Sequence, residues 1–104
     1  MTYRIKAKKD LFNDGKCFTK DKVYTIETGR NLTTNASLME VKTVNDLGET
    51  HAIGGWWREF EIEKTYKARN VGDSEIFKAF NEQEAREWVN DNCTDPHEWH
   101  IEEQ

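Results

Sequence analysis

The chain has 104 residues and a mass of 12.3 kDa, which allows one compact domain or two very small modules and excludes separate catalytic and cofactor domains. Hydrophobic residues make up 36% of the chain and charged residues 34%, but the aromatic share of 12% exceeds that of a disordered chain and predicts a core of few, large side chains. The net charge of -5 argues against a uniformly basic, nucleic-acid-binding surface.

Alternation of apolar and polar residues predicts five short strands in the first 63 residues. They are expected near residues 3–8, 23–28, 39–43, 50–53 and 60–63. Residues 28–37 are polar and predict an exposed loop, and Gly48 is expected to take the positive φ of a hairpin turn. Residues 54–57 are read as a tight turn. This pattern predicts a small, strongly bent barrel.

In the part of the chain after residue 63, the spacing of the apolar residues changes from a period of two, typical of strands, to one of 3.6, typical of a helix. The elements expected there are a hairpin of residues 66–70 and 75–80, a helix over residues 82–91 and a short strand over residues 99–102. Asn81 is the expected N-cap of the helix, with Glu84 at the third helical position. The predicted fold is therefore α+β: a five-stranded barrel over residues 1–63, with a β-β-α-β extension over residues 64–104 packed against it in one compact unit.

Residues 3–7, 18–26, 44–51 and 57–61 resemble the small SH3-like barrel proteins that bacteriophages often encode. The shared motifs are a Lys-x-Tyr start to the second strand, an Asp-x-Gly-Glu hairpin and an aromatic-x-x-Phe-Glu ending. Asp21 stands where glycine is common in such proteins. The resemblance implies an SH3-like barrel for about the first 62 residues and an early-expressed protein that binds and redirects a component of the host.

Trp56, Trp57 and Arg58 form the best candidate for a binding site. Adjacent residues in an extended or turn segment point to different sides, so at most one tryptophan fits the core. An exposed tryptophan beside an arginine is typical of protein-interface hot spots. The alternative is that the second tryptophan packs under the C-terminal extension.

Charge is distributed unevenly along the chain: residues 1–30 carry +4, residues 31–62 carry -3 and residues 63–104 carry -6. Glu84, Glu87 and Asp91 belong to an acidic surface that would occupy a nucleic-acid-binding groove on a partner by placing carboxylates where phosphates sit. Solubility alone is the competing explanation.

The basic residues of the first strand suggest a different function. Arg4, Lys6 and Lys8 share one face of that strand, and Lys20 follows nearby in sequence. Such a face would contact phosphates, and the affinity would then fall steeply with salt.

Cys93, His97 and His100 have the residue types of a metal site or a nucleophilic site. Their spacing straddles Pro96 and lacks a paired anchor such as Cys-x-x-Cys, so surface histidines and free thiols are expected instead. We expect no metal, no cofactor and no enzymatic activity.

These observations favour a non-enzymatic phage accessory protein in the cytoplasm of the infected bacterium, without a membrane-spanning segment. Its expected partner is a host protein, such as a defence nuclease or a transcription component, which it inhibits or redirects. The alternative is a nucleic-acid-binding SH3-like module. The identity of the partner and the oligomeric state stay open.

Overall fold

Ten strands, one α-helix and three 3₁₀ helices make up the chain in a computed structural model that describes residues 1–104. The strands are β1 (Thr2–Ala7), β2 (Leu11–Phe12), β3 (Lys16–Phe18), β4 (Val23–Glu27), β5 (Lys42–Val44), β6 (Thr50–Ala52), β7 (Phe60–Ile62), β8 (Lys64–Arg69), β9 (Ser74–Ala79) and β10 (His100–Glu103). Helix α1 spans Glu82–Asn92, and the 3₁₀ helices span Asn35–Glu40, Gly54–Glu59 and Pro96–Glu98. The expected α+β class is confirmed. The backbone divides into two compact units, Met1–Ile62 and Glu63–Gln104.

Strand β1 is the centre of the first unit. It pairs antiparallel with β4 on one side and β7 on the other, while β2 with β3 and β5 with β6 form two further ladders. The alternation of apolar and polar residues decides which face of β1 is turned to the core: Ile5 and Ala7 are fully buried, and Arg4 is exposed. The first unit has seven strands where five were expected, and their ladders remain separate sheets.

Aromatic rings fill the core of the first unit. Phe18 is completely buried, and its ring lies edge-on to Tyr24 at 4.9 Å, to Phe60 at 5.1 Å and to Trp56 at 5.9 Å between centroids. Edge-to-face pairs add about 0.5–1.5 kcal/mol each beyond the burial of apolar area. One side chain of β3 therefore joins β4, β7 and the 3₁₀ helix of residues 54–59.

Two segments differ from their expected conformation. Met39 belongs to the 3₁₀ helix Asn35–Glu40 and not to a strand, because the buried Leu38 anchors that turn and the Val41 amide donates to the Leu38 carbonyl at 3.1 Å. Residues 54–59 form a second 3₁₀ helix in place of the expected tight turn. Gly48 does take a positive φ of 77° in its hairpin turn.

The Asp46 carboxylate ties the β5–β6 turn to the start of β4. It accepts hydrogen bonds from the Thr19 hydroxyl at 2.6 Å, the Lys22 ammonium at 2.6 Å and the Tyr24 hydroxyl at 2.9 Å. Burial raises the pKa of Asp46, but these hydrogen bonds outweigh it and hold the pKa below its usual value. Burial also raises the pKa of Tyr24 to about 12, and the Asp46 carboxylate adds to this rise.

In the second unit, β8 is the central strand of a three-stranded antiparallel sheet, with β9 and β10 at its edges. The Asn81 side chain caps α1 by accepting from the Glu84 amide at 2.9 Å, as the sequence predicts. Ala85 and Val89 of α1 are fully buried in the cluster that covers one face of the sheet. No helix in the structure combines the length and apolar character needed to cross a membrane.

Replacing Asp46 with Asn should lower the free energy of unfolding at pH 7 by about 1–3 kcal/mol, because a charged acceptor of three hydrogen bonds is lost. Because the pKa of Asp46 is depressed in the folded state, its contribution is complete above the ordinary carboxyl pKa of about 4 and is lost as pH falls through the lower folded value. The difference between wild type and Asp46→Asn should therefore shrink below about pH 4.

Urea denaturation followed by tryptophan fluorescence from pH 7 to pH 3 measures this difference. The matched control is Asp14→Asn, which removes an exposed carboxylate from a turn whose positive φ of 54° asparagine tolerates. A difference between wild type and Asp46→Asn that stays constant over this pH range would contradict the assignment.

Candidate functional site

The 3₁₀ helix of residues 54–59 is held at both ends. Ile53, which is buried, starts the turn, and the Trp56 amide donates to its carbonyl at 3.0 Å. Gly54 takes a φ of 51°, a left-handed conformation that favours glycine. The Asn35 side-chain amide donates to the Trp57 carbonyl at 3.4 Å and to the Phe60 carbonyl at 2.5 Å. The backbone that carries the two tryptophans is therefore fixed.

The Trp56 ring packs on the aromatic core. Its ring lies 5.9 Å from Phe18 and 5.3 Å from His51 between centroids. The His51 ring is oriented in turn by Asn45: the Asn45 Oδ1 accepts from the Leu47 and Glu49 amides, so its Nδ2 donates to His51 Nδ1 at 3.1 Å. Trp56 is half-buried against this arrangement.

Trp57 and Arg58 form a stacked pair. The guanidinium carbon of Arg58 lies 4.6 Å from the centre of the Trp57 ring, a cation–π distance. Trp57 is half-buried and packs with one side on the core, while Arg58 is exposed. No carboxylate of the chain pairs with Arg58. The guanidinium therefore keeps its hydrogen-bonding edge for an external group, while its flat face rests on an indole.

The acidic candidates lie in the second unit. Glu84, Glu87 and Asp91 occupy positions i, i+3 and i+7 of α1, which places them along one side of the helix. Glu84 is half-buried and lies in the first turn, where its negative charge interacts favourably with the positive end of the helix dipole. Glu87 and Asp91 are exposed and have no such local role.

The basic candidates lie beside acidic residues. Lys6 of β1 is directly opposite Glu61 of β7, and the backbone amide of Lys8 donates to the Glu59 carbonyl at 2.8 Å. The ammonium of the neighbouring Lys9 lies 3.7 Å from the Glu59 carboxylate. Arg4 and Lys20 are exposed, and the backbone amide of Lys20 donates to Asp10. Basic residues at β1 therefore lie beside acidic residues at β7.

The cysteines are free, and Cys17 is buried. Burial raises the pKa of the Cys93 thiol, and the nearby Glu75 and Asp73 carboxylates raise it further. His97 lies in the 3₁₀ helix Pro96–Glu98 and His100 begins β10. No three His, Cys, Asp or Glu side chains of the structure cluster in a way that would hold a metal ion.

Asn35 and His51 are the two positioning residues that the sequence analysis missed. Asn35 lies in the segment that was expected to be an exposed loop, and His51 was given no positioning role. Neither has a local sequence signal, because each acts on a segment at least five residues away. No protein-family model, curated protein or solved structure matches this chain.

Trp56→Ala should destabilise the protein by about 2–4 kcal/mol, because it removes a ring that contacts two other aromatic rings of the core. Trp57→Ala should cost no more than about half of that, since its ring partner is the exposed Arg58. Equilibrium urea denaturation of both variants measures the two values. Equal losses, or a larger loss for Trp57→Ala, would contradict these distinct roles.

Proposed function

We propose that the protein is a non-enzymatic phage accessory protein that binds a bacterial host protein, such as a defence nuclease or a transcription component, and inhibits or redirects it. The observation that carries this proposal is the Trp57–Arg58 pair, an aromatic ring and an unpaired guanidinium stacked on a fixed 3₁₀ helix. Tryptophan and arginine are, with tyrosine, the residues most enriched among interface hot spots.

The stacked geometry favours tight binding for a physical reason. An arginine on a protein surface ordinarily loses much rotamer freedom when a partner captures it. Arg58 already rests on the Trp57 ring, and Asn35 fixes the backbone beneath that ring. Part of the entropic cost of binding is therefore met in the free protein. The partner is expected to supply a carboxylate to the guanidinium and an apolar group to the exposed part of the indole.

The order of elements in the first unit supports the proposal that it is an SH3-like barrel. β1 lies between β4 and β7, the β5–β6 hairpin follows β4, and a 3₁₀ helix precedes the last strand. Asp21, where the resembling phage proteins commonly have glycine, takes a φ of 66°, the left-handed conformation that glycine adopts without strain. We extend the proposal to phage origin and to the host cytoplasm on this resemblance.

We further propose that the acidic side of α1 is a second contact surface. Residues at i, i+3 and i+7 repeat along a helix at intervals of roughly 5–6 Å. Carboxylates in such a row suit a groove on the partner that ordinarily holds phosphates. Glu87 and Asp91 are the members without a structural role in the helix.

The non-enzymatic part of the proposal is supported by the chemistry of Cys93. A nucleophilic cysteine needs a lowered pKa, but burial and two nearby carboxylates raise the pKa of this thiol. A raised pKa disfavours the thiolate, which is the nucleophilic form.

Arg58→Ala should reduce recovery of the host partner at least about tenfold, as truncation of a hot-spot residue does, while the unfolding free energy changes by less than about 1 kcal/mol. The measurement uses the immobilised full chain and nuclease-treated bacterial lysate, with bound proteins quantified by mass spectrometry. One host protein should be retained in near-stoichiometric amount and should also be lost with Trp57→Ala.

The matched control is Arg30→Ala, because Arg30 is also an exposed arginine but its guanidinium is already paired with Glu40. Its retention of the partner should equal that of wild type. Unchanged recovery with both Trp56→Ala and Trp57→Ala would eliminate this site. Recovery that depends on nucleic acid would instead favour the basic residues of β1.

A further inference from the structure

One face of the second unit's sheet carries no helix. Tyr66, Ala68, Phe77 and Ala79 point to the buried side, where α1 packs. The side chains that alternate with them form the opposite face, which we call the open face. Its members are Thr65, Lys67 and Arg69 of β8, Ser74, Ile76 and Lys78 of β9, and His100 and Glu102 of β10.

The open face is basic although its half of the chain carries -6. Lys67, Arg69 and Lys78 contribute three cations, and Glu102 is the one carboxylate. The Glu102 carboxylate lies 3.7 Å from the Arg69 guanidinium. Lys67 lies directly opposite Glu102, whereas Lys78 lies opposite Thr65 and forms no ion pair. Lys78 is therefore the cation of this face without an acidic neighbour.

An exposed isoleucine lies among these cations. Ile76 is 67% exposed, at the middle of β9 and directly opposite Lys67. Lys78, two residues further along the same face, is also exposed. Ile76 contributes nothing to the buried cluster beneath the sheet. Its exposure is not required by the packing of this unit.

β9 is also an edge strand. Its six residues pair with β8 in continuous register without a bulge, and no strand pairs with its other side. It contains neither proline nor glycine. Natural edge strands are ordinarily shortened, bulged or interrupted, because an unpaired row of amide and carbonyl groups invites a further strand. Of the features that discourage pairing of an edge strand, β9 has only its charged side chains, Glu75 and Lys78.

We propose that β9 is a docking edge for an extended segment of a partner protein, which adds to the sheet as a fourth strand. The backbone groups of β9 supply the hydrogen bonds, and the side chains of the open face select the sequence. The residue of the segment opposite Ile76 is apolar, and the residue two positions from it, opposite Lys78, is acidic.

Charge complementarity favours this occupant over two others. In a second copy paired antiparallel around Ile76, each Lys78 would face Ser74 of the other copy and gain no carboxylate. A single-stranded nucleic acid would require a series of aromatic rings on which successive bases stack, and the open face has one ring, that of His100. An extended segment with an acidic residue uses both Lys78 and Ile76.

The test is selection of a displayed library of random ten-residue peptides on the immobilised full chain. Enriched peptides should contain an apolar residue with Asp or Glu two positions away. For a synthetic copy of the most enriched peptide, Ile76→Ser and Lys78→Glu should each weaken binding at least about tenfold. Exchanging the acidic residue of the peptide for lysine should restore binding to Lys78→Glu. Hydrogen exchange at the backbone amides of residues 74–79 should slow in the complex.

Two controls separate this site from others. Glu75→Gln alters a charge of β9 on the other face and should leave the affinity within about twofold of wild type. Arg58→Ala should also leave it unchanged, so failure of the proposed Trp57–Arg58 site and failure of this one are distinguishable. Ile76 and Lys78 are exposed, and far-ultraviolet circular dichroism verifies that their variants fold.

Three results would overturn the proposal. The first is that no peptide is enriched, or that enriched peptides lack the apolar-x-acidic pattern. The second is that they bind Ile76→Ser and Lys78→Glu as tightly as wild type, or leave exchange in β9 unchanged. The third is a dimer in analytical ultracentrifugation that Ile76→Ser dissociates, which would assign the edge to a second copy.

Discussion

The first unit depends on the packing of one phenylalanine. Phe18 is fully buried, and three aromatic rings from β4, β7 and the 3₁₀ helix of residues 54–59 meet it edge-on. A chain with only 36% hydrophobic residues has few side chains with which to fill a core, so each large ring joins several segments. Trp56 is one of these rings, and its inner side contacts Phe18 and His51. Trp57, the next residue, is also half-buried against the core, and the exposed Arg58 stacks on its ring. The candidate site is therefore the outer side of a segment that the core holds in place.

Local sequence signals predicted the regular elements well. The alternation of β1, the positive φ of Gly48 and the Asn81 cap of α1 each depend on neighbouring residues, and each is present in the structure. The two longer 3₁₀ helices were missed, because their turns are determined by distant contacts. Leu38 and Ile53 are buried among residues far away in sequence, and alternation gives no sign of a short turn of helix between two strands. The short β2–β3 ladder was also missed, since only two of its residues belong to β2.

The candidate site was predictable in composition but not in geometry. The sequence argument was that adjacent tryptophans in an extended segment point to opposite sides and that at most one fits the core; in the structure both rings are half-buried against it. Its premise was wrong, since the segment is helical, and the stacking of Arg58 on Trp57 follows from that helical turn. The basic residues of β1 show that a pattern in the sequence can also miss a contact that changes its meaning. Lys6 faces Glu61 across the sheet, a neutralising contact between residues fifty-five positions apart that no linear pattern reveals. The exposed Ile76 on β9 likewise gains meaning only from its place at a sheet edge.

The central claim is that a host protein binds the surface formed by Trp57 and Arg58 on its fixed 3₁₀ helix. Hydrogen–deuterium exchange of the full chain, free and in complex with the host protein it captures, tests this claim most directly. We predict slower exchange at the backbone amides of residues 54–60 in the complex, with the amides of buried β1 unchanged. Exchange at residues 54–60 that is the same in both states, with protection appearing elsewhere in the chain, would contradict the account.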